Sequence, residues 1–260
     1  MIRELNGILA LAFRDITKLF RDRARMVSTL VFPFIFIGIL GGSLEAGFGS
    51  QMGYNLLGFV FTGVYGQTLF QSAAQGIISL IEDRENDFSQ EIFVSPISRY
   101  SIVFGKVVGE AMVALFQGVA MIILAFVLRI PVTPTQLFGL LIVGVLVSLF
   151  GAAFGMLIMP NLQNQRAANQ IFPFVFLPQF FLAGVFNPIQ NLPWYLDILS
   201  RISPMRYAVD LTRNLFYVGS PEYSQVVLDT PFMNITIMSA LFILFMIIGT
   251  WSFVRNERNR

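Results

Sequence analysis

The sequence has no cysteine and no histidine among its 260 residues. The first absence excludes disulfides, thiolate nucleophiles and Cys-ligated zinc or iron–sulfur sites. The second excludes Ser-His relays and most catalytic zinc sites. Charge is scarce too: Asp, Glu, Lys and Arg make up 12% of the chain, about half the share of a soluble domain. A net charge of +2 gives nucleic acid no reason to bind. Apolar residues fill the gap, at 55% of the chain with 28 Phe, and the mean hydropathy is +0.71. No water-facing surface of this size is made from such a composition, so the chain reads as an all-α integral membrane protein. No repeat, low-complexity tract or linker divides it, and residues 1–260 read as one membrane domain.

A bilayer core needs about 20 mostly apolar residues per helix. Uncharged stretches run from Met26 to Leu44, Ala46 to Ile81, Ala111 to Leu128, Ile130 to Gln165, Ala167 to Leu196 and Thr230 to Val254. Trimmed at their turn residues, they predict six transmembrane helices. The second starts near Leu56, the third near Ser101 and the fourth near Thr135; the fifth covers about Gln165–Phe186 and the sixth Pro231–Val254. With the N-terminus inside, only Arg129, Arg201, Arg206 and Arg213 of the 17 Lys and Arg fall outside. That bias places both termini in the cytoplasm. Residues 1–25 form an amphipathic leader, too long for the basic region of a signal peptide. Ile2, Leu5, Leu9, Phe13, Ile16 and Phe20 recur at helical spacing, so the leader is expected in the inner-leaflet interface, its basic side toward anionic lipid.

Several features stand out from this background. Gln67, Gln71, Gln75 and Ser79 are four residues apart on the second span and share one face. Such a face either glues helices together or lines a wet pathway. The cytoplasmic segment 82–100 holds five of the fifteen acidic residues, followed by an apolar Ile92-Phe93-Val94 patch, which fits a short helix with a docking face. The outer segment 187–217 is too apolar for a free loop and too Pro-broken for a seventh span, so a re-entrant or interfacial pair of short helices is expected. There Asp210 and Arg213 are spaced to pair. Glu110, an acid inside a predicted span, lies four residues after Lys106 and is expected to pair with it near an interface. Gly38/Gly42 and Gly151/Gly155 permit close helix approach. Pro33, Pro173 and Pro178 are expected to kink spans one and five.

Together these features resemble one family, the membrane subunits of ABC-2 type exporters. One carrier is Asp83-Arg84-Glu85, followed by Ser95-Pro96-Ile97-Ser98-Arg99 and Gly105-Lys106. The other is Gly184, Pro188, Leu192-Pro193, Pro204, Tyr207 and Arg213 in the outer segment, closer to the drug and lipid exporter branch than to the polysaccharide branch. Asn86-Asp87 stand where the family often has Gly. The resemblance spans essentially the whole chain and implies a coupling helix between Glu82 and Arg99 seated on an ATP-hydrolysing partner. Glu82, Asp83, Arg84 and Glu85 would make its charged contacts, and Phe88, Ile92 and Phe93 its packing contacts. Substrate (a drug, lipid or lipid-linked glycan) would leave the cytoplasm between two permease subunits, a second copy or a sister chain, past Gln67, Gln71, Gln75 and Gln179. Pro188, Leu192, Pro193, Pro204, Tyr207 and Arg213 would form an outer gate. The resemblance implies the cell membrane of a prokaryote.

No cofactor is expected on this chain itself. A phosphate-binding loop needs Gly-x4-Gly-Lys-Ser/Thr, and the nearest match, at Gly105-Lys106, has Tyr100 for the first Gly and Val107 for the hydroxyl. ATP and Mg are therefore expected on the partner ATPase. The alternative reading, an ion-driven secondary transporter, would want acids at mid-membrane and symmetry-related broken helices. A lipid-modifying enzyme would depend on Asp83, Glu85 and Asp87.

Overall fold

The computed structural model describes residues 2–22, 27, 31–49, 51, 53–85, 98–162 and 164–258. Among them every regular element is helical. The leader forms α1 (Ile2–Arg21). The first apolar stretch, α2 (Val31–Phe48), is π-wound over Phe34–Gly41 and α-helical over Gly42–Phe48. The expected kink at Pro33 thus takes the form of a π segment beginning just after it. Then follow α3 (Leu56–Gly76), α4 (Ser79–Glu85), α5 (Arg99–Val127), α6 (Pro134–Ile158) and α7 (Gln165–Leu182). The C-terminal third holds α8 (Trp194–Ile202), α9 (Pro204–Phe216), α10 (Tyr223–Val226) and α11 (Pro231–Arg258).

Among the described residues, four stretches are long and apolar enough to cross a bilayer: Val31–Phe48, Arg99–Val127, Pro134–Asn161 and Tyr223–Asn256. The second and fifth predicted spans, α3 and α7, fall outside that group, and both carry side-chain amides along their length.

Helix boundaries follow local chemistry. Asn55 caps α3 by accepting from Gly58 N at 2.6 Å, and Glu45 accepts from Leu56 N and Leu57 N at 2.8 and 3.2 Å. Two free N–H groups and the positive end of the helix dipole are thereby met by one carboxylate. Thr133 and Gln136 make a capping box at α6, with Pro134 in the first turn. The end of α5 closes through Ile130 N donating to Ala125 O at 2.9 Å, which forces Arg129 to φ 57°. A left-handed non-Gly residue costs about 1–2 kcal/mol. Arg129→Gly is therefore expected to raise the thermal unfolding midpoint of the detergent-purified protein, and a lowered midpoint would contradict it.

The centre of the molecule is α3. Phe59, Val60, Phe61, Val64, Leu69 and Phe70 are fully buried, enclosed by α2, α5, α6 and α9. The expected pair of short helices forms as α8 and α9. Of these α9 is buried along most of its length against α3, α6 and α11, whereas α8 leaves Trp194, Tyr195, Ile198 and Ile202 exposed. The leader docks on α5 because Gly105 and Gly109 have no side chains; a Cβ there would stand 3.2 Å from Ile8 Cα and 3.1 Å from Ala12 Cα. Its outward face is apolar, with Leu5, Leu9, Phe13 and Phe20 exposed. Of its basic side chains, Arg14 and Lys18 turn to Asp83.

Candidate functional site

The polar stripe on α3 faces a cavity. Gln67, Thr68, Gln71, Gln75 and Ser79 line one wall of a space of about 700 Å³, with Gln117 of α5 beside them and Gln165, Asn169 and Phe172 of α7 opposite. Phe32 and Pro33 close it on the α2 side, and Phe32 lies against Phe180 with ring centroids 6.3 Å apart. The acids on its lining are Asp22 and Glu82; the rest is neutral amide, hydroxyl and apolar surface.

Four amides in this region have different roles. Gln67 Nε2 donates to Gln71 Oε1, so these two neighbours on α3 partly satisfy each other. Gln117 is 5% exposed and neither amide atom has a hydrogen-bond partner. Leaving a buried amide unmade costs about 1–3 kcal/mol, a cost the fold retains at a side chain lining the cavity. Gln117 was missed as a candidate although an amide isolated in the run Met112–Leu128 was a visible signal. Gln179, predicted with the pathway, does not line the cavity. Its Nε2 donates to Val175 O at 3.0 Å, and its Oε1 accepts from Ser203 Oγ and Met205 N, both at 3.3 Å. It satisfies free donors at the start of α9 and so fixes the α8–α9 pair to α7.

Below the cavity, the described part of the acidic segment is a junction. Asp83 is buried, with Arg14 Nη2 at 2.5 Å and Lys18 Nζ at 3.2 Å. Glu85 accepts from Gln165 N at 3.1 Å, joining the end of α4 to the start of the opposite cavity wall. Ser79 Oγ donates to Glu110 Oε1 at 3.2 Å, and Lys106 Nζ lies 2.7 Å from both Glu110 and Asp15. The expected Lys106–Glu110 pair forms, but fully buried and with a second carboxylate from the leader. Asp83 and Glu85, expected to face a partner, are thus committed within the chain, while Glu82 edges the cavity. Phe88, Ile92 and Phe93 lie outside the described residues, as does the side chain of Arg84.

In the segment 187–217, Pro188 and Pro193 are exposed in the turn before α8, while Leu192 and Pro204 are half-buried. Tyr207 and Arg213 are buried. Tyr207 donates to Arg201 O at 2.7 Å. Arg213 donates to Gly184 O at 2.6 Å and stacks 3.7 Å over the Phe59 ring, tying α9 to α3 and to the left-handed turn at Gly184, φ 66°. The predicted Asp210–Arg213 pair does not form. Asp210 instead accepts from Leu228 N, Asp229 N and Asn234 Nδ2 at 2.8, 2.9 and 2.7 Å, because the chain folds back over α9 before α11 and leaves those donors to be met.

A polar cavity thus lies between amide-bearing helices, inside a bundle that has, among the described residues, four helices of membrane-crossing length. The family model for "ABC-2 type transporter" matches residues 6–217, and the chain belongs to that family. Among its relatives, "Probable multidrug ABC transporter permease YbhR" of Escherichia coli K12 is 32% identical over 142 residues, 54% of this chain and 38% of YbhR. The match thus covers well under half the length of that relative. "Putative transport permease ycf38" of Cyanophora paradoxa is 24% identical over 250 residues, 92% of this chain and 84% of the relative. The protein of the same name from Pyropia yezoensis is 23% identical over 248 residues.

Proposed function

We propose that the chain is the membrane subunit of an exporter that moves an amphipathic, weakly polar substrate (a drug, lipid or lipid-linked glycan) out of a prokaryotic cytoplasm. It would cross the membrane six times with both termini inside and work as a dimer with a second copy or a sister permease. A separate ATPase holding ATP and Mg would drive it through residues 82–100, switching the pathway by rigid-body rocking. The carrying observation is the neutral amide lining of the cavity, above all the unpartnered amide of Gln117. Amides satisfy hydroxyl, carbonyl and amide groups of a substrate without demanding a charge. The resemblance of part of the chain to a probable multidrug permease supports the same cargo class. In this reading Asp83 positions the coupling segment against the leader rather than touching the ATPase, and the segment 187–217 serves as the outer gate.

The test is ATP-driven accumulation of an amphipathic dye in inside-out vesicles carrying the permease and its ATPase. Gln71→Leu with Gln117→Leu should lower accumulation about tenfold, the effect of one to two lost hydrogen bonds, while ATP hydrolysis continues. Gln117→Leu alone should leave folding intact, since it removes an unmade buried amide. Wild-type accumulation by the double variant would overturn the assignment of the cavity. Accumulation that follows an imposed ion gradient without ATP would favour the ion-driven alternative.

A further inference from the structure

A second recess lies outside the cavity, between the beginning of α5 and the end of α11. It holds about 660 Å³ and is lined by Tyr100 and Phe104 on one side and Met246, Ile247, Trp251 and Arg255 on the other. Most of these side chains are open to the surroundings: Tyr100, Ile247 and Trp251 are each about 60% exposed or slightly more, and Phe104 is 47% exposed. In a membrane-spanning bundle such apolar exposure is suited to lipid. From Met246 to Arg255 the groove runs about 14 Å along the helix, close to one leaflet of a hydrocarbon core about 30 Å thick. Its deep end is purely apolar. Its mouth carries Tyr100, Trp251 and Arg255, the amphipathic rings and cation that sit at headgroup level. Arg255 lies 5.2 Å from the Trp251 ring centroid, and its ion pairs among the described residues are none. The last turn is held in place by Asn256 Nδ2 donating to Pro160 O at 2.7 Å.

We propose that this groove binds one anionic phospholipid from the leaflet in which α5 begins and α11 ends. An acyl chain lies along Phe104, Met246 and Ile247, and the phosphate meets the Arg255 guanidinium, which has donors to spare for it. The site is separate from the transport cavity and does not depend on what crosses there.

The chain has two tryptophans, so a Trp194→Phe background leaves Trp251 as the reporter. This protein is placed in phosphatidylcholine nanodiscs containing increasing fractions of brominated phosphatidylglycerol or, separately, brominated phosphatidylcholine. Half-maximal quenching is expected at about fivefold lower mole fraction of the anionic lipid, the preference one arginine near the surface confers. Arg255→Gln should bring the two lipids to equality, and Arg255→Lys should keep most of the preference. Equal quenching in the parent, or a preference surviving Arg255→Gln, overturns the site. Recovery of fluorescence on adding inorganic phosphate would overturn the lipid assignment, because the apolar groove would then have no part in binding.

Discussion

Replacing Lys106 with Met is expected to remove nearly all folded protein from the membrane. Lys106 is 1% exposed, with its ammonium 2.7 Å from both Asp15 and Glu110. Without it Glu110 loses the Lys106 ion pair while buried and Asp15 keeps only Arg14, and losing one partner of a buried pair costs about 3–5 kcal/mol. Total stability of a domain is only about 5–15 kcal/mol. Glu110 is 2% exposed and packs into the space that a Cβ on Gly76 would occupy. The readout is the monodisperse peak of a fluorescent fusion in size-exclusion chromatography, expected to fall at least tenfold. Neutralising the set together, as Asp15→Asn, Lys106→Met and Glu110→Gln, should restore much of the peak, since Arg14, the other cation on Asp15, keeps its ion pair with Asp83 and no charge is stranded. A wild-type peak from Lys106→Met alone would show that water reaches the cluster and that it adds little to the fold.

That cluster also marks where sequence reading stops. The order of apolar stretches, the leader, the short helix pair and the amide stripe were legible because each is a periodic or local signal. Gln67, Gln71 and Gln75 share a face in any helix, and they line the cavity. The opposite wall needed Gln165 and Asn169, which become neighbours only once α7 is placed across from α3. Asp15 carries no pattern of its own in the leader, and its contact with Lys106 spans 91 residues. Gln179 and Asp210 were misplaced for the same reason: each satisfies backbone donors created by a distant turn, at Met205 and at Leu228–Asp229. Polar residues in apolar helices announce that a partner exists, while the three-dimensional path of the chain decides whether it is substrate, side chain or backbone.

The second large effect falls on glycines, where the same motif gives opposite outcomes in two places. Gly155→Ala and Gly151→Ala are expected to disrupt the bundle, whereas Gly42→Ala should leave stability unchanged or slightly raised. On α6, a Cβ at Gly151 would overlap the carbonyl oxygen of Phe70, and one at Gly155 that of Ala74. Backbone cannot rotate aside as a side chain can, so α6 must lift off α3. Overpacking of this kind costs about 1–3 kcal/mol or more per site. The far face of α6 offers no relief, because Gly249 of α11 sits with its would-be Cβ 2.6 Å from Met156 O. Three helices are stacked through glycines there, with no slack to share. Gly42, by contrast, has nothing within 4 Å, and Gly38 meets Leu128 at 3.8 Å, so a methyl group on Gly42 removes only the conformational freedom that makes Gly a poor helix former. Thermal unfolding of the purified variants separates the cases, and equal midpoints for Gly155→Ala and Gly42→Ala would contradict the packing. The consequence reaches function because α3 carries both surfaces: Phe70 and Ala74 rest on α6, while Gln71 and Gln75 line the cavity. Molecules of Gly155→Ala that still fold should therefore show lower dye accumulation per folded permease, since a displaced α3 moves the amides out of register with Gln117 and α7.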